Sequence, residues 1–70
     1  MESFTVWGFF QDGKYEKKET FTEKQIPEMF AYFESIKHKY HVIRAVDTCD
    51  STVLKYEDGK QVFPVKGKDF

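Results

Sequence analysis

The stretch Phe4 to Phe10 carries aromatic and β-branched residues on both alternations. That pattern predicts a strand covered on both faces. Asp12-Gly13 follows, a preferred pair for a two-residue hairpin turn, and Tyr15 to Phe21 is the returning strand. With Asp12 and Gly13 as the loop, Phe10 faces Tyr15, Val6 faces Glu19 and Phe4 faces Phe21 on one side of the sheet. On the other side Phe9 meets Glu16, Trp7 meets Lys18 and Thr5 meets Thr20. The second strand is highly charged, which marks it as an edge.

Helical spacing takes over next. Ile26, Met29, Phe30, Phe33, Ile36 and Tyr40 fall on one stripe, with Glu28, Glu34, Ser35, His38 and Lys39 elsewhere. An amphipathic helix running to about Tyr40 is expected, its apolar stripe on a sheet. Thr22 with Gln25 resembles a capping box. Pro27 is tolerated only near the first turn, so regular helix begins close to it.

The remainder returns to strand patterning. His41 to Thr48 is apolar on both alternations through Val42, Ile43, Ala45 and Val46, and Cys49-Asp50-Ser51 is a turn signal. Val53 to Glu57 and Lys60 to Val65 flank Asp58-Gly59, a second hairpin signal. In it Glu57 faces Lys60, Tyr56 faces Gln61 and Leu54 faces Phe63. Pro64 near the end of the last strand costs little as a missing N–H.

The element order is ββαβββ, an α+β class. The helix brings the third strand back antiparallel to the first, so the strands that are apolar on both faces sit together in the middle. This predicts an antiparallel sheet of order 2-1-3-4-5 with one helix on one face. Residues 1–65 form a single domain, and 66–70, Lys-Gly-Lys-Asp-Phe, read as a loose tail.

Composition narrows the class. At 70 residues there is room for one core, and a core this small supplies a net of about 3–5 kcal/mol unless something staples it. Cys49 is the sole cysteine, so no internal disulfide forms, and a lone thiol fits a reducing, cytoplasmic setting. Bulk comes from eight Phe, four Tyr and one Trp, each burying roughly 150–250 Å². Eleven basic against twelve acidic residues leave a net charge of −1, so no global field attracts nucleic acid or an anionic membrane. No apolar run approaches the roughly 20 residues of a membrane span, and Met1-Glu2-Ser3-Phe4 lacks the basic start of a signal peptide.

Chemistry is sparse. His38, His41, Asp47, Cys49 and Asp50 include the ligand types of zinc, but there is no C-x-x-C pair and His41 lies past the helix, so no metal or other cofactor is expected. Cys49 as a nucleophile needs a base in reach and a lowered pKa, and no signature surrounds it. Asp47, Asp50, Glu57 and Asp58 stand near turns, where acidic residues bond their own backbone. Gly8, Gly13, Gly59 and Gly67 make no phosphate loop. No enzyme is expected.

Two features remain. Lys37, Lys39 and Arg44, interleaved with Tyr40 and two histidines, could hold a nucleic acid, although a Lys-rich last turn also suits the helix dipole. The second feature is a surplus of aromatics. A sheet with one covering helix has one open face, and Trp7 and Phe9 lie opposite Phe4, Val6 and Phe10. With Lys18, and with Ile43 and Ala45 (or Val42 and Val46), they would form an apolar patch of the kind that marks an interface. The expected function is a non-catalytic protein-binding module, a regulator, adaptor or inhibitor, using this face for self-association or docking. A small nucleic-acid binder using Lys37, Lys39 and Arg44 is the alternative.

Overall fold

The structure is a computed structural model that describes residues 3–64. Of the segments expected from sequence, the tail at 66–70 and the end of the last strand at Val65 lie outside it. The elements are β1 Ser3–Phe9, β2 Tyr15–Thr22, a 3-10 turn Glu23–Gln25, α1 Ile26–Ile36, β3 Val42–Val46, β4 Thr52–Glu57 and β5 Lys60–Phe63. All neighbouring strands pair antiparallel, and the sheet order is β2-β1-β3-β4-β5. The expected fold, ββαβββ with one helix on an antiparallel sheet, is the fold observed.

Helix α1 lies on the face that carries Phe4, Val6, Ile43, Ala45, Leu54 and Tyr56. Met29, Phe33 and Ile36 bury themselves against these residues, and Tyr40 closes the cluster after the helix ends. Val6, Phe33, Ile43 and Leu54 are at most 1% exposed. The expected stripe holds at its centre, but Ile26 is 39% exposed at the helix start. The Thr22 amide donates to Gln25 Oε1 at 3.0 Å, the returning half of the expected capping box. Pro27 sits in the first turn of α1. The helix stops at Ile36 rather than near Tyr40, because the chain turns there and the Lys39 amide donates to the Ile36 carbonyl at 2.9 Å.

The first hairpin departs from its expected register. Its loop is Gln11-Asp12-Gly13, one residue longer than expected. The Gly13 amide bonds the Phe10 carbonyl, and the Phe10 amide bonds the Lys14 carbonyl. Gly13 has φ +92°, and Asp12 Oδ1 accepts from the Lys14 amide at 3.0 Å. A turn followed by glycine in the left-handed region closes a three-residue loop. Asp-Gly serves that loop as well as the two-residue one, so the dipeptide alone does not choose. As a result Phe9 pairs with Tyr15 and Trp7 with Lys17. A β-bulge between Thr5 and Trp7 then restores the expected Thr5–Thr20 and Phe4–Phe21 pairs. The bulge sets Lys18 and Glu19 together against Val6, where Val6 against Glu19 alone was expected.

The second hairpin forms as expected at its tip, with Glu57 against Lys60 and Tyr56 against Gln61. Asp58 and Gly59 both have positive φ, 52° and 82°, as a two-residue primed turn requires. Beyond it a register shift sets Phe63 against Lys55 instead of the expected Leu54, which is committed to the core.

Tyr56 ties the helix to the sheet. Its ring lies 5.0 Å from that of Phe33 and its hydroxyl donates to Glu34 Oε2 at 2.8 Å. Burial, with a smaller contribution from Glu34, pushes its pKa up to about 12. The fold therefore favours the neutral phenol. That stability is complete below the ordinary value near pH 10 and is lost as pH climbs toward 12. Tyr56→Phe is expected to flatten stability against pH over this window, as read by urea unfolding at pH 9.5 and 11.5. An alkaline loss as steep as wild type would assign it to other groups.

Candidate functional site

The face of the sheet away from α1 is the candidate site. Strand alternation decides its membership. In β1, Phe4, Val6 and Gly8 point to the helix, so Thr5, Trp7 and Phe9 point away. In β3, Ile43 and Ala45 are 1% and 0% exposed beneath the helix. They are therefore not part of the open face, as the candidate patch had them. Val42, Arg44 and Val46 stand there instead. The register aligns Thr5 with Val46, Trp7 with Arg44 and Phe9 with Val42, and Arg44 with Lys55. Trp7 is flanked on its other side by Lys17.

The bulge and the longer loop thus redistribute the edge strand. Tyr15 joins the open face, with its ring 5.9 Å from both Trp7 and Phe9. Lys17 replaces Lys18 as the neighbour of Trp7. Lys18 and Glu16 go to the helix side, where the Tyr40 hydroxyl donates to Glu16 Oε1 at 2.8 Å and Lys18 Nζ lies 5.5 Å from the Tyr40 ring centre. The Tyr40 hydrogen bond holds the Glu16 carboxyl below its ordinary value. Lys18 therefore does not belong to the open patch.

Trp7, Phe9, Tyr15, Arg44, Val46 and Asp50 line a surface hollow of about 250 Å³. Trp7 and Phe9 are half-buried and Tyr15 is 64% exposed. Arg44 takes part in no ion pair among the described residues. One guanidinium nitrogen reaches the Asp50 carbonyl at 3.5 Å, and the buried Nε has no partner among the described residues. Lys17 is exposed and without an ion pair among the described residues. Lys55 lies 3.8 Å from Glu57.

The expected basic cluster is divided by the fold. Lys37, just past α1, pairs with Glu34 at 2.8 Å, Lys39 is exposed in the following turn, and Arg44 belongs to the open face. The metal-type residues are spread as well. His41 Nδ1 is 2.7 Å from Asp58 Oδ1, and Asp47 Oδ1 accepts from the amides of Cys49 and Ser51 at 2.8 and 2.9 Å, closing the turn that exposes Cys49. Among the described residues no group of three or more His, Cys, Asp or Glu could hold a metal ion, and no helix is long and apolar enough to cross a membrane. A second hollow of about 360 Å³, between the helix end and the β4–β5 hairpin, is lined by Glu34, Lys37, Tyr56, Gly59, Lys60 and Gln61. Its carboxylate is already bonded to Tyr56 and Lys37.

The sequence placed Trp7 and Phe9 on this face and named Arg44 only within the basic cluster with Lys37 and Lys39, and it missed Tyr15, Lys17 and Lys55. Lys55 was open to simple alternation, since Leu54 and Tyr56 flank it. Tyr15 and Lys17 depended on the loop length. The chain matches no protein-family model, no curated protein and no solved structure.

Proposed function

We propose that this chain is a small non-catalytic binding module whose working surface is the open face of its sheet. The observation that carries the reading is the cluster of Trp7, Phe9 and Tyr15 around one hollow, on a face that α1 leaves uncovered. Aromatic side chains concentrate the energy of interfaces, and nothing in the folding of the core calls for them here. Among the described residues Glu16, Glu34, Asp47 and Asp58 are taken up in turns and in pairs that hold the fold together, which supports a non-catalytic reading. Between a second copy and a foreign partner, the charges favour the foreign partner. A two-fold contact of this face sets one patch containing Lys17, Arg44 and Lys55 against an identical patch, and like charges brought together out of water are unfavourable.

The test is Trp7→Ser. Because the ring is half-buried, folding stability is expected to fall by only about 1–2 kcal/mol, as measured by urea unfolding. Wild type and variant, both folded, are then compared as immobilised baits. Molecules retained by wild type and released by the variant support the reading. Equal retention by both would place the working surface elsewhere.

A further inference from the structure

We propose that the open face binds single-stranded nucleic acid, with bases stacked on Trp7, Phe9 and Tyr15 and phosphates held by Lys17, Arg44 and Lys55. This deepens the binding-module reading and rests on it. The arrangement of charge inside the aromatic patch carries it. Across β2, β1, β3 and β4 the register sets Lys17, Trp7, Arg44 and Lys55 in one row. The row spans three strand spacings of about 4.8 Å, roughly 14 Å in all. Cations therefore stand on both sides of the tryptophan, Lys17 on the edge strand and Arg44 on the central one. Protein–protein interfaces deplete lysine at their centres. Surfaces for single strands instead interleave basic side chains with aromatic rings, because phosphates and bases alternate along the ligand.

Arg44 adds donor capacity. Among the described residues its fork makes a single long bond, to the Asp50 carbonyl, and its buried Nε has no partner. Asp50 at the edge of the hollow and Glu57 beside Lys55 are the opposing charges on this face. Lys17 and Arg44 form no ion pair with either among the described residues. The whole chain is near neutral, so attraction is local to this face and affinity is modest.

The probe is a fluorescein-labelled dT12 strand titrated with the full chain. Anisotropy and quenching of Trp7, the sole tryptophan, are read at 25 to 200 mM salt. Saturable binding that quenches Trp7 is expected. Three phosphate contacts predict a slope of log K against log salt of about −2, and Lys17→Gln and Lys55→Gln are each expected to make it shallower by about 0.7. Trp7→Ser, shown to be folded, is expected to weaken binding tenfold or more. A blunt 12-base-pair duplex, whose bases are already stacked, is expected to bind more weakly. No binding of dT12 at 25 mM salt and 100 µM protein overturns the proposal. Trp7 quenching by an acidic Glu/Tyr copolymer but not by dT12 also overturns it, while leaving the open face as a docking surface for an acidic protein. Binding of dT12 that survives Trp7→Ser but is lost in Lys37→Gln/Lys39→Gln would move the site to the helix end and overturn both readings.

Discussion

Phe33→Ala is expected to leave the protein largely unfolded at room temperature. Phe33 is fully buried at the centre of the contact between α1 and the sheet, and its ring meets that of Tyr56. Removing it deletes apolar burial and leaves a cavity that the short helix cannot close, at a cost of about 3–5 kcal/mol. A single core of this size has a net stability of similar magnitude. Circular dichroism during urea titration is the measurement. An unchanged midpoint would contradict the packing of α1 on the face that carries Val6, Ile43 and Leu54.

Gly8→Ala should destabilise the protein by about 1–3 kcal/mol through overpacking, although replacing glycine within a strand ordinarily helps by reducing the entropy lost on folding. The reason is Tyr40. A Cβ on Gly8 would stand 2.6 Å from the Tyr40 Cδ1 and Cε1 atoms and 2.9 Å from Cγ. The ring cannot slide freely. It lies 5.0 Å from the Phe10 ring, its hydroxyl is bonded to Glu16, and it is 8% exposed. The sign of the effect separates this account from the ordinary one. In a Tyr40→Leu background the same substitution should cost distinctly less, a coupling that a double-mutant cycle by urea unfolding measures directly. A neutral or stabilising Gly8→Ala in the native background would show that the ring yields.

The first hairpin shows where sequence reasoning stops. Asp12-Gly13 identified the turn, but the backbone pairing set its length, and one additional loop residue exchanged every side chain of β2 between faces up to the bulge. That exchange moved Tyr15 and Lys17 beside Trp7 and moved Glu16 and Lys18 under Tyr40. The second hairpin was legible at Glu57–Lys60 because Asp58 and Gly59 both take the positive φ of the two-residue turn. It ceased to be legible past Gln61, where a register shift intervenes.

The site followed the same pattern. Trp7 and Phe9 were visible because a strand with apolar residues on both faces, in a sheet with one helix, must show one set to the outside. Which residues of β3 accompany them was not visible, since Val42, Ile43, Ala45 and Val46 are apolar on either alternation. The packing of α1 decided it, by burying Ile43 and Ala45.

What the sequence determined by itself was therefore local and periodic. The turn dipeptides, the helical stripe through Met29, Phe33 and Ile36, and the doubly apolar strands suffice for element order, sheet order and the existence of an open aromatic face. The tertiary structure alone decided the register of β2, the face assigned to β3, and hence the row Lys17, Trp7, Arg44 and Lys55. The physical reason is that side chains alternate every residue along a strand. A pattern identifies a strand over its whole length, but the choice of face turns on a single residue of register, which only hydrogen bonds and packing between distant segments determine.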